Sequence, residues 1–231
     1  MIDIRPFATL GAAKHGWLDA HHHFSFASYL DRNRMGWGSI RVWNDDTISP
    51  GTGFAPHGHQ DMEIITYVRT GAITHKDSMG HEGRTEGGDV QVMSAGTGVQ
   101  HSEYNHEKVP TTLFQIWVIP RSTGVAPGWG AKPFPKDARS GAWAVLASGF
   151  AEDTDALPIN ADARVLGATL AAGASLSHTV EESRHAYLVP ATGRITVNGV
   201  EANARDGVAL TVGDYTITAL DEAELVLVDA P

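Results

Sequence analysis

The chain has 231 residues, no cysteine and a formal net charge of -10, from 27 acidic and 17 basic residues. The missing cysteine excludes disulfide scaffolds, thiolate nucleophiles, iron–sulfur clusters and cysteine zinc sites, so any metal must be held by histidine and carboxylate. No cluster of Lys or Arg forms a phosphate-binding stripe, and no apolar run approaches the roughly 20 residues that span a bilayer. We therefore expect a cytoplasmic protein that binds neither nucleic acid directly nor a membrane.

Short runs rich in β-branched and aromatic residues follow one another along the whole chain, separated by Gly, Pro, Asn or Asp. This pattern, without a long amphipathic helix, is typical of an all-β sandwich or barrel built from hairpins. In chain order the runs are SIRVW, MEIITYV, VQVM, TLFQIWVI, RVLGATL, AYLV, RITVN, VALTV, YTITA and ELVLV.

A segment rich in proline and glycine, PRSTGVAPGWGAKPFP at 120–135, interrupts these runs. Such a segment is incompatible with a central strand, and its Trp129 and Phe134 indicate an ordered strap rather than a free linker. We predict an amino-terminal unit over residues 1–125, a connecting strap over 126–140 and a carboxy-terminal unit over 141–231.

The two predicted units read as weak copies of each other. When the glycine of RTGAITH is aligned with that of ATGRITVNG, both stretches read as strand, turn, strand. The alignment places His57 opposite Thr179 and His59 opposite Glu181. We therefore expect the amino-terminal unit to hold a metal and the carboxy-terminal unit to be a degenerate, metal-free copy.

Two pairs of polar residues carry the metal prediction: His57 with His59, and His101 with Glu103. Residues two apart on a strand point to the same face, so each pair can project into a barrel. Three imidazole nitrogens and one carboxylate oxygen suit Fe, Ni, Co, Cu, Mn or Zn and leave coordination positions open. We expect one divalent transition metal per chain and favour Fe(II).

The stretches that surround these pairs resemble the pirin family, a group of proteins with two tandem cupin barrels, and most of all its bacterial quercetin 2,3-dioxygenases. The resemblance lies in GWLDAHHHFSFASYLD, NDDTISPGTGFAPHGHQDMEIITYV, HKDSMG and GDVQVMSAGTGVQHSEYN. It implies an all-β fold of two cupin (double-stranded β-helix) barrels, a monomer, and a mononuclear metal bound by His57, His59, His101 and Glu103.

The resemblance also implies a reaction. A flavonol binds the metal through its 3-hydroxyl, Glu103 takes the proton as general base, and O2 then opens the central heterocycle with release of carbon monoxide. The alternative function within the same family is a non-catalytic, metal-binding regulator of transcription or sensor of redox state. A zinc-dependent cupin isomerase would require clustered Lys or Arg for a sugar phosphate, and the motifs lack such a cluster.

The carboxylate ligand has a second candidate in the sequence. In the common cupin pattern the glutamate comes from the first motif, where Glu63 stands and shares strand parity with His57 and His59. Glu63 is therefore either a ligand in place of Glu103 or an inward-facing residue beside the ligands.

The run His21, His22 and His23 cannot bind one ion from an extended segment, because neighbouring strand residues alternate faces. His22, with Phe24 and Phe26, is a candidate cover for the pocket mouth.

The remaining histidines near the motifs, His75, His81 and His106, lie in polar, turn-rich stretches and are assigned no role. The six tryptophans are candidates for lining a flavonoid pocket or for ordinary packing. They are Trp17, Trp37, Trp43, Trp117, Trp129 and Trp143.

Overall fold

All ten apolar runs lie in β-strands of the computed structural model, which describes residues 1–231. The first twelve strands are β1 Ile2–Arg5, β2 Gly11–Lys14, β3 Leu18–His22, β4 Ile40–Ile48, β5 Thr52–His59, β6 Glu63–Thr70, β7 Ala72–Asp77, β8 Glu82–Glu86, β9 Val90–Ser94, β10 Val99–Asn105, β11 Thr111–Val118 and β12 Gly128–Lys132. The next ten are β13 Ala144–Ser148, β14 Leu157–Pro158, β15 Arg164–Leu170, β16 Ser175–Val180, β17 His185–Thr192, β18 Ile195–Val197, β19 Val200–Ala202, β20 Gly207–Leu210, β21 Gly213–Ala219 and β22 Ala223–Ala230.

The strands form two barrels of the same design, each made of a seven-stranded and a four-stranded sheet. In the amino-terminal barrel the strand orders are β12-β9-β6-β11-β4-β3-β2 and β5-β10-β7-β8. In the carboxy-terminal barrel they are β1-β20-β17-β22-β15-β13-β14 and β16-β21-β18-β19. The predicted all-β fold of two tandem cupin barrels is confirmed.

The two seven-stranded sheets pack against each other and bury the largest apolar core. It contains 24 buried residues, among them Trp43, Phe114 and Tyr187. The second face of β4 is therefore also buried. There Asp45 accepts hydrogen bonds from Arg69 on β6 and, at 2.6 Å, from Arg205 of the other barrel. The ion pair between Asp45 and Arg205 therefore joins the two barrels.

Two segments depart from a simple division of the chain. Strand β1 pairs with β20, so the first residues lie in the sheet of the carboxy-terminal barrel although the sequence places them in the first unit. Strand β12, within the Pro/Gly-rich segment, pairs with β9 at the edge of the amino-terminal sheet. The prediction that this segment holds no central strand is confirmed, and the unit boundaries stay a prediction.

Helical structure is limited to two 3-10 turns, Phe7–Thr9 and Lys136–Arg139. The structure contains no helix with the length and apolar character needed to cross a membrane.

Candidate metal centre

Three imidazoles meet at one end of the amino-terminal barrel. His57 and His59 lie on the edge strand β5, and His101 lies directly opposite His57 on β10. The ring centroids are 4.5 Å apart for His57 and His101, 4.8 Å for His57 and His59, and 5.0 Å for His59 and His101. One nitrogen from each ring lies within 4.8 Å of the others. The structure thus brings three of the four predicted ligands together.

The edge position of β5 explains how its sequence can present these rings. Pro56 has no backbone N–H, which a strand tolerates only at an edge or a bulge. The register between β5 and β10 shifts between His101 and Glu103, so Glu103 pairs with Phe54. This irregularity places the Ala55 carbonyl 2.8 Å from His57 Nδ1. Because a carbonyl only accepts, Nδ1 of His57 carries the proton and Nε2 keeps its lone pair.

His101 presents its Nε2 in the same way. This atom is buried and has no hydrogen-bond partner in the protein, while Nδ1 lies 3.4 Å from Nδ1 of His75. His75 Nε2 in turn lies 3.1 Å from an oxygen of Asp77. Since the Asp77 carboxylate accepts the proton of His75 Nε2, His75 Nδ1 is an acceptor and His101 Nδ1 must donate to it. The chain of contacts from Asp77 through His75 leaves the lone pair of His101 on Nε2.

Burial and neighbouring charge favour the neutral form of two of these imidazoles, those of His59 and His101. Burial, followed by the neighbouring His57, lowers the pKa of His59 to about 4. Burial lowers the pKa of His101 to about 3, with further contributions from His57, His59 and His75. Metal binding requires unprotonated imidazole, so these rings need no deprotonation at neutral pH.

Glu103 lies close by but in a second, overlapping group of donor atoms. Its carboxylate atoms fall within 4.8 Å of donor atoms of His75 and His101, and it lines the same cavity as His57 and His59. It is 2% exposed, and burial raises its pKa to about 7 although three hydrogen bonds oppose the increase. The donors are Gln91 at 2.7 Å, Gln115 at 2.8 Å and Thr66 at 3.4 Å.

These three hydrogen bonds leave Glu103 with lone pairs that can bind a metal ion or accept a proton. A carboxylate offers about four lone-pair sites, so acceptance from Gln91, Gln115 and Thr66 does not exhaust both oxygens. A pKa near neutral pH is the value that suits a general base. The assignment of Glu103 as ligand and base stays a prediction at this point.

Glu63, the alternative carboxylate, points away from the imidazoles. Its Oε2 accepts hydrogen bonds from Ser94 and, at 3.0 Å, from the backbone N–H of Asn160 in the other barrel. The parity argument from the sequence is wrong, because residues 60–62 separate β5 from β6 and the alternation of β5 does not continue into β6. Within this break, Asp61 has a left-handed conformation (φ 47°). Glu63 therefore belongs to the contact between the barrels.

His75 is a residue of this centre to which the sequence analysis assigned no role. It is 1% exposed on strand β7 rather than solvated in a turn, and Trp129 of the strap stacks on it at 4.9 Å between ring centroids. The signal was present: Ile73, His75 and Asp77 alternate with polar residues as one inward face of a strand. His81 is half exposed and reaches Asp77 from the outside, through Nδ1 at 3.0 Å from Oδ2. His106 stacks on Tyr104.

The three consecutive histidines take different directions, as predicted. His21 lies beside Asp19, His22 is hydrogen-bonded to Asn44 inside the barrel, and His23 contacts the hydroxyl of Tyr187 in the other barrel. Of the three proposed cover residues, His22 and Phe26 line cavities next to the imidazoles. Phe24 does not, because it packs between the barrels.

A cavity of about 460 Å³ opens beside the imidazoles. Its walls are mostly aromatic and apolar, and Trp117 meets His59 edge to face at 4.9 Å between ring centroids. Of the six tryptophans, Trp17 and Trp117 line it. A mostly apolar pocket of several hundred Å³ with a few polar groups is typical of a small-molecule site.

Comparison with known proteins agrees with this geometry. The profile of the Pirin family matches residues 4–118, and the profile described as Quercetinase C-terminal cupin domain matches residues 145–230. A Pirin-like protein of Caulobacter vibrioides is 63% identical over 231 residues, which cover 100% of both chains. The protein belongs to the pirin family. A quercetin 2,3-dioxygenase of Escherichia coli is 39% identical to this pirin over 233 residues and covers 100% of this chain and 99% of its own.

Solved structures show a metal in a close structural neighbour of this pirin. The crystal structure of the bacterial pirin YhhW from Escherichia coli in complex with nickel(II) superimposes with a TM-score of 0.94 at 37% identity. It covers 100% of this chain and 99% of that one. Together with the three converging imidazoles, this similarity supports a divalent metal site in this pirin.

Proposed function

We propose that this pirin is a metal-dependent dioxygenase that opens the heterocycle of flavonols such as quercetin with O2 and releases carbon monoxide. The observation that carries the proposal is that three imidazoles converge beside a cavity with aromatic walls, which two of them line. The dioxygenase name of the Escherichia coli relative and the quercetinase profile over the second barrel support it.

The residues present fit a divalent transition metal. Two nitrogens, Nε2 of His57 and Nε2 of His101, hold lone pairs without a protein partner, and the second of these is buried. His57, His59 and His101 would hold the ion, with Glu103 as the fourth donor. When bound, the ion supplies positive charge that lowers the pKa of a coordinated hydroxyl. Imidazole suits Fe, Ni, Cu and Zn alike, and Fe(II) is our proposal for the resident metal.

Glu103 would accept the proton of the flavonol 3-hydroxyl. It borders the cavity, and Gln91 and Gln115 hold its two oxygens with hydrogen bonds of 2.7 and 2.8 Å. These amides fix the direction of the carboxylate, so the proton acceptor is in place before the substrate arrives.

His75 and Asp77 would act by positioning His101. The hydrogen bonds between the three residues set the tautomer of His101 and restrain rotation of its ring. Such contacts behind a ligand commonly change metal affinity about 10–100-fold when they are removed.

The cavity walls would orient a planar substrate and exclude water from it. Phe54 meets Trp17 edge to face at 5.1 Å, and Trp117 is fixed by a hydrogen bond of 3.1 Å from its indole N–H to Gln115. Rigid aromatic walls of this kind favour a planar ligand and exclude water from its reacting face. The two substrates would be a small aromatic molecule and O2, and the reaction requires no protein partner.

The test is incubation of metal-loaded protein with quercetin under air and under nitrogen. We expect loss of flavonol absorbance and release of carbon monoxide under air only, without added reductant, and neither with metal-free protein. The absence of oxygen-dependent loss with Fe(II), Ni, Co, Mn and Cu would overturn the dioxygenase and favour the metal-binding regulator.

A further inference from the structure

A second cavity of about 280 Å³, here called the inner cavity, shares part of its wall with the one beside the imidazoles. Four residues line both cavities: Trp17, Phe26, Phe54 and Gln115. The inner cavity extends under β3 and β4, where Leu18 and Ala20 form part of its wall. These shared side chains make the inner cavity the space that adjoins a planar molecule bound at the imidazoles.

Two polar residues of the inner cavity, Asn44 and Gln115, have side-chain hydrogen-bond partners in the protein, whereas the buried Oδ1 of Asp46 has none. His22 Nδ1 and Asn44 Oδ1 form a hydrogen bond of 2.8 Å. Gln115 is committed to Glu103 and Trp117. Asp46, by contrast, is 2% exposed, and its Oδ1 is buried without a hydrogen-bond partner in the protein.

The position of Asp46 in the sheet explains why no neighbour bonds to this oxygen. Its partners across the sheet are Ala20 on β3 and Leu113 on β11, which have no polar side-chain atoms. The preceding residue, Asp45, faces the other barrel and is paired with Arg69 and Arg205. Two adjacent acidic residues therefore have opposite surroundings, and only Asp46 faces a cavity.

Burial, together with the charges of Asp45 and Glu103, raises the pKa of Asp46 well above its usual value. An oxygen of the carboxyl can accept a hydrogen bond whether the group is ionised or protonated. A phenolic hydroxyl, itself a donor and an acceptor, is the matching partner. A buried polar group without such a partner is unfavourable, because it has lost its hydrogen bonds to water.

We propose that the inner cavity is a subsite for an outer ring of the substrate, and that Asp46 determines specificity by bonding a phenolic hydroxyl on that ring. The ligand class is a planar aromatic compound with an acidic hydroxyl for the metal at one end and a phenol at the other. This inference rests on the proposed function, because it places the reacting end at the imidazoles.

The test measures equilibrium binding under nitrogen, so it does not depend on turnover. Nickel-loaded protein is titrated with 3-hydroxyflavone, galangin and kaempferol, which add first the hydroxyls of the fused ring and then that of the pendant ring. Quenching of tryptophan fluorescence reports binding, since Trp17 and Trp117 line the cavity. We expect the compound whose added hydroxyl reaches Asp46 to bind about ten-fold more tightly than the one before it.

Variants at position 46 separate a binding role from a structural one. Asp46→Leu should lose this ten-fold step while it keeps its nickel and its affinity for 3-hydroxyflavone, and Asp46→Asn, which keeps a donor and an acceptor, should retain most of it. Because the carboxyl lacks a protein partner, Asp46→Leu should also raise the Tm of the ligand-free protein by roughly 2–4 °C. A structural role would lower the Tm instead.

Two results would overturn the inference. An unchanged hydroxyl preference in Asp46→Leu would remove the subsite and leave the proposed function in place. Failure of the parental nickel-loaded protein to bind any of the three compounds would remove both.

Discussion

The two barrels share one architecture but fill their interiors differently. The carboxy-terminal barrel contains a single apolar cluster of 16 buried residues. In the amino-terminal barrel the apolar residues fall into two small clusters, of 6 and 4 buried residues. Buried polar residues, among them Gln91, His101, Glu103 and Gln115, occupy the space that the other barrel fills with Leu, Ile and Val. The interior of the carboxy-terminal barrel is therefore an apolar core, whereas that of the amino-terminal barrel holds the candidate metal centre.

The strands that carry the imidazoles show the difference residue by residue. The strand pair β5–β10 of the first barrel corresponds to β16–β21 of the second, where Thr179 pairs with Asp214 and bonds to it at 2.7 Å. His178 of the same strand bonds to Asp229 at 2.9 Å, and that carboxylate also pairs with Arg184. A histidine committed to an ion-paired carboxylate has a structural contact, whereas His101 keeps a free nitrogen in a cavity.

The largest expected effect is the loss of the metal on substitution in the first barrel alone. His101→Ala removes the buried Nε2 at the centre of the imidazole group, so we expect no bound nickel and no flavonol cleavage. Elemental analysis after nickel loading and gel filtration measures the bound nickel. His178→Asn in the second barrel is the matched control and should retain a single ion. Equal nickel content in His101→Ala and the parent would show that the ion is bound elsewhere.

The next largest effect concerns the carboxylate of the first barrel. Glu103→Gln keeps the size of the side chain and one oxygen that can accept from Gln91 or Gln115, but its NH2 group cannot accept from the other amide. The substitution also removes the proton acceptor. Loss of a general base costs about 10²–10⁴-fold in rate, and we expect kcat to fall in this range with metal still bound. Stopped-flow absorbance of quercetin under air gives the rate.

The two roles of Glu103 can be distinguished by metal content. Retained nickel with a reduced kcat would support the role as base, while loss of nickel would place the carboxylate mainly among the ligands. Parental kcat with parental metal content would refute both roles.

Much of the fold could be predicted from the sequence because period-2 alternation and turn residues are local signals. The pairing of β1 with β20 could not, since it joins the two ends of the chain and no local pattern encodes it. The facing of Glu63 was predicted wrongly because residues 60–62 break the strand, and strand alternation cannot be carried across such a break.

The candidate site could also be predicted only in part from local sequence patterns. His57, His59 and His101 stand in recognisable spacings, so their convergence followed from strand geometry. His75 was passed over because a lone histidine beside turns is usually solvated, although its alternation with Ile73 and Asp77 indicated an inward face. Asp46 could not be distinguished from Asp45 in sequence, because the two arginines that pair with Asp45 come from another strand of its own barrel and from the second barrel.

His75 offers a way to weaken the site without touching a proposed ligand. His75→Phe keeps the stacking with Trp129 but removes the acceptor for His101 Nδ1. We expect the affinity for Ni(II) to fall about 10–100-fold, measured by competition with a chromogenic chelator.

A control for His75 lies at the outer end of the same hydrogen-bond chain. His81→Asn changes a half-exposed contact to Asp77 and should leave the nickel affinity within about two-fold, since exposed polar contacts contribute little. Equal affinities of His75→Phe and the parent would show that the chain of hydrogen bonds does not position His101.

The smallest expected effect is a shift in pH dependence. Gln91 donates to Glu103 at 2.7 Å, and this bond favours the charged carboxylate. Gln91→Leu removes it, so the pKa of Glu103 should rise further above its usual range. A hydrogen bond to a charged group contributes about 1.5 kcal/mol, which corresponds to about one pKa unit.

Because Glu103 accepts a proton only when ionised, the rate rises with pH through its pKa. The acidic limb of kcat/KM for quercetin should therefore move about one unit to higher pH in Gln91→Leu, while the rate at high pH changes little. As a control, Thr85→Val removes the hydrogen bond of 3.0 Å from the Thr85 hydroxyl to Gln91 Oε1. This variant should leave the acidic limb of the pH profile at its parental position. A shift to lower pH would mean that Gln91 favours the protonated acid, and the amide would then have to accept from Glu103 rather than donate to it.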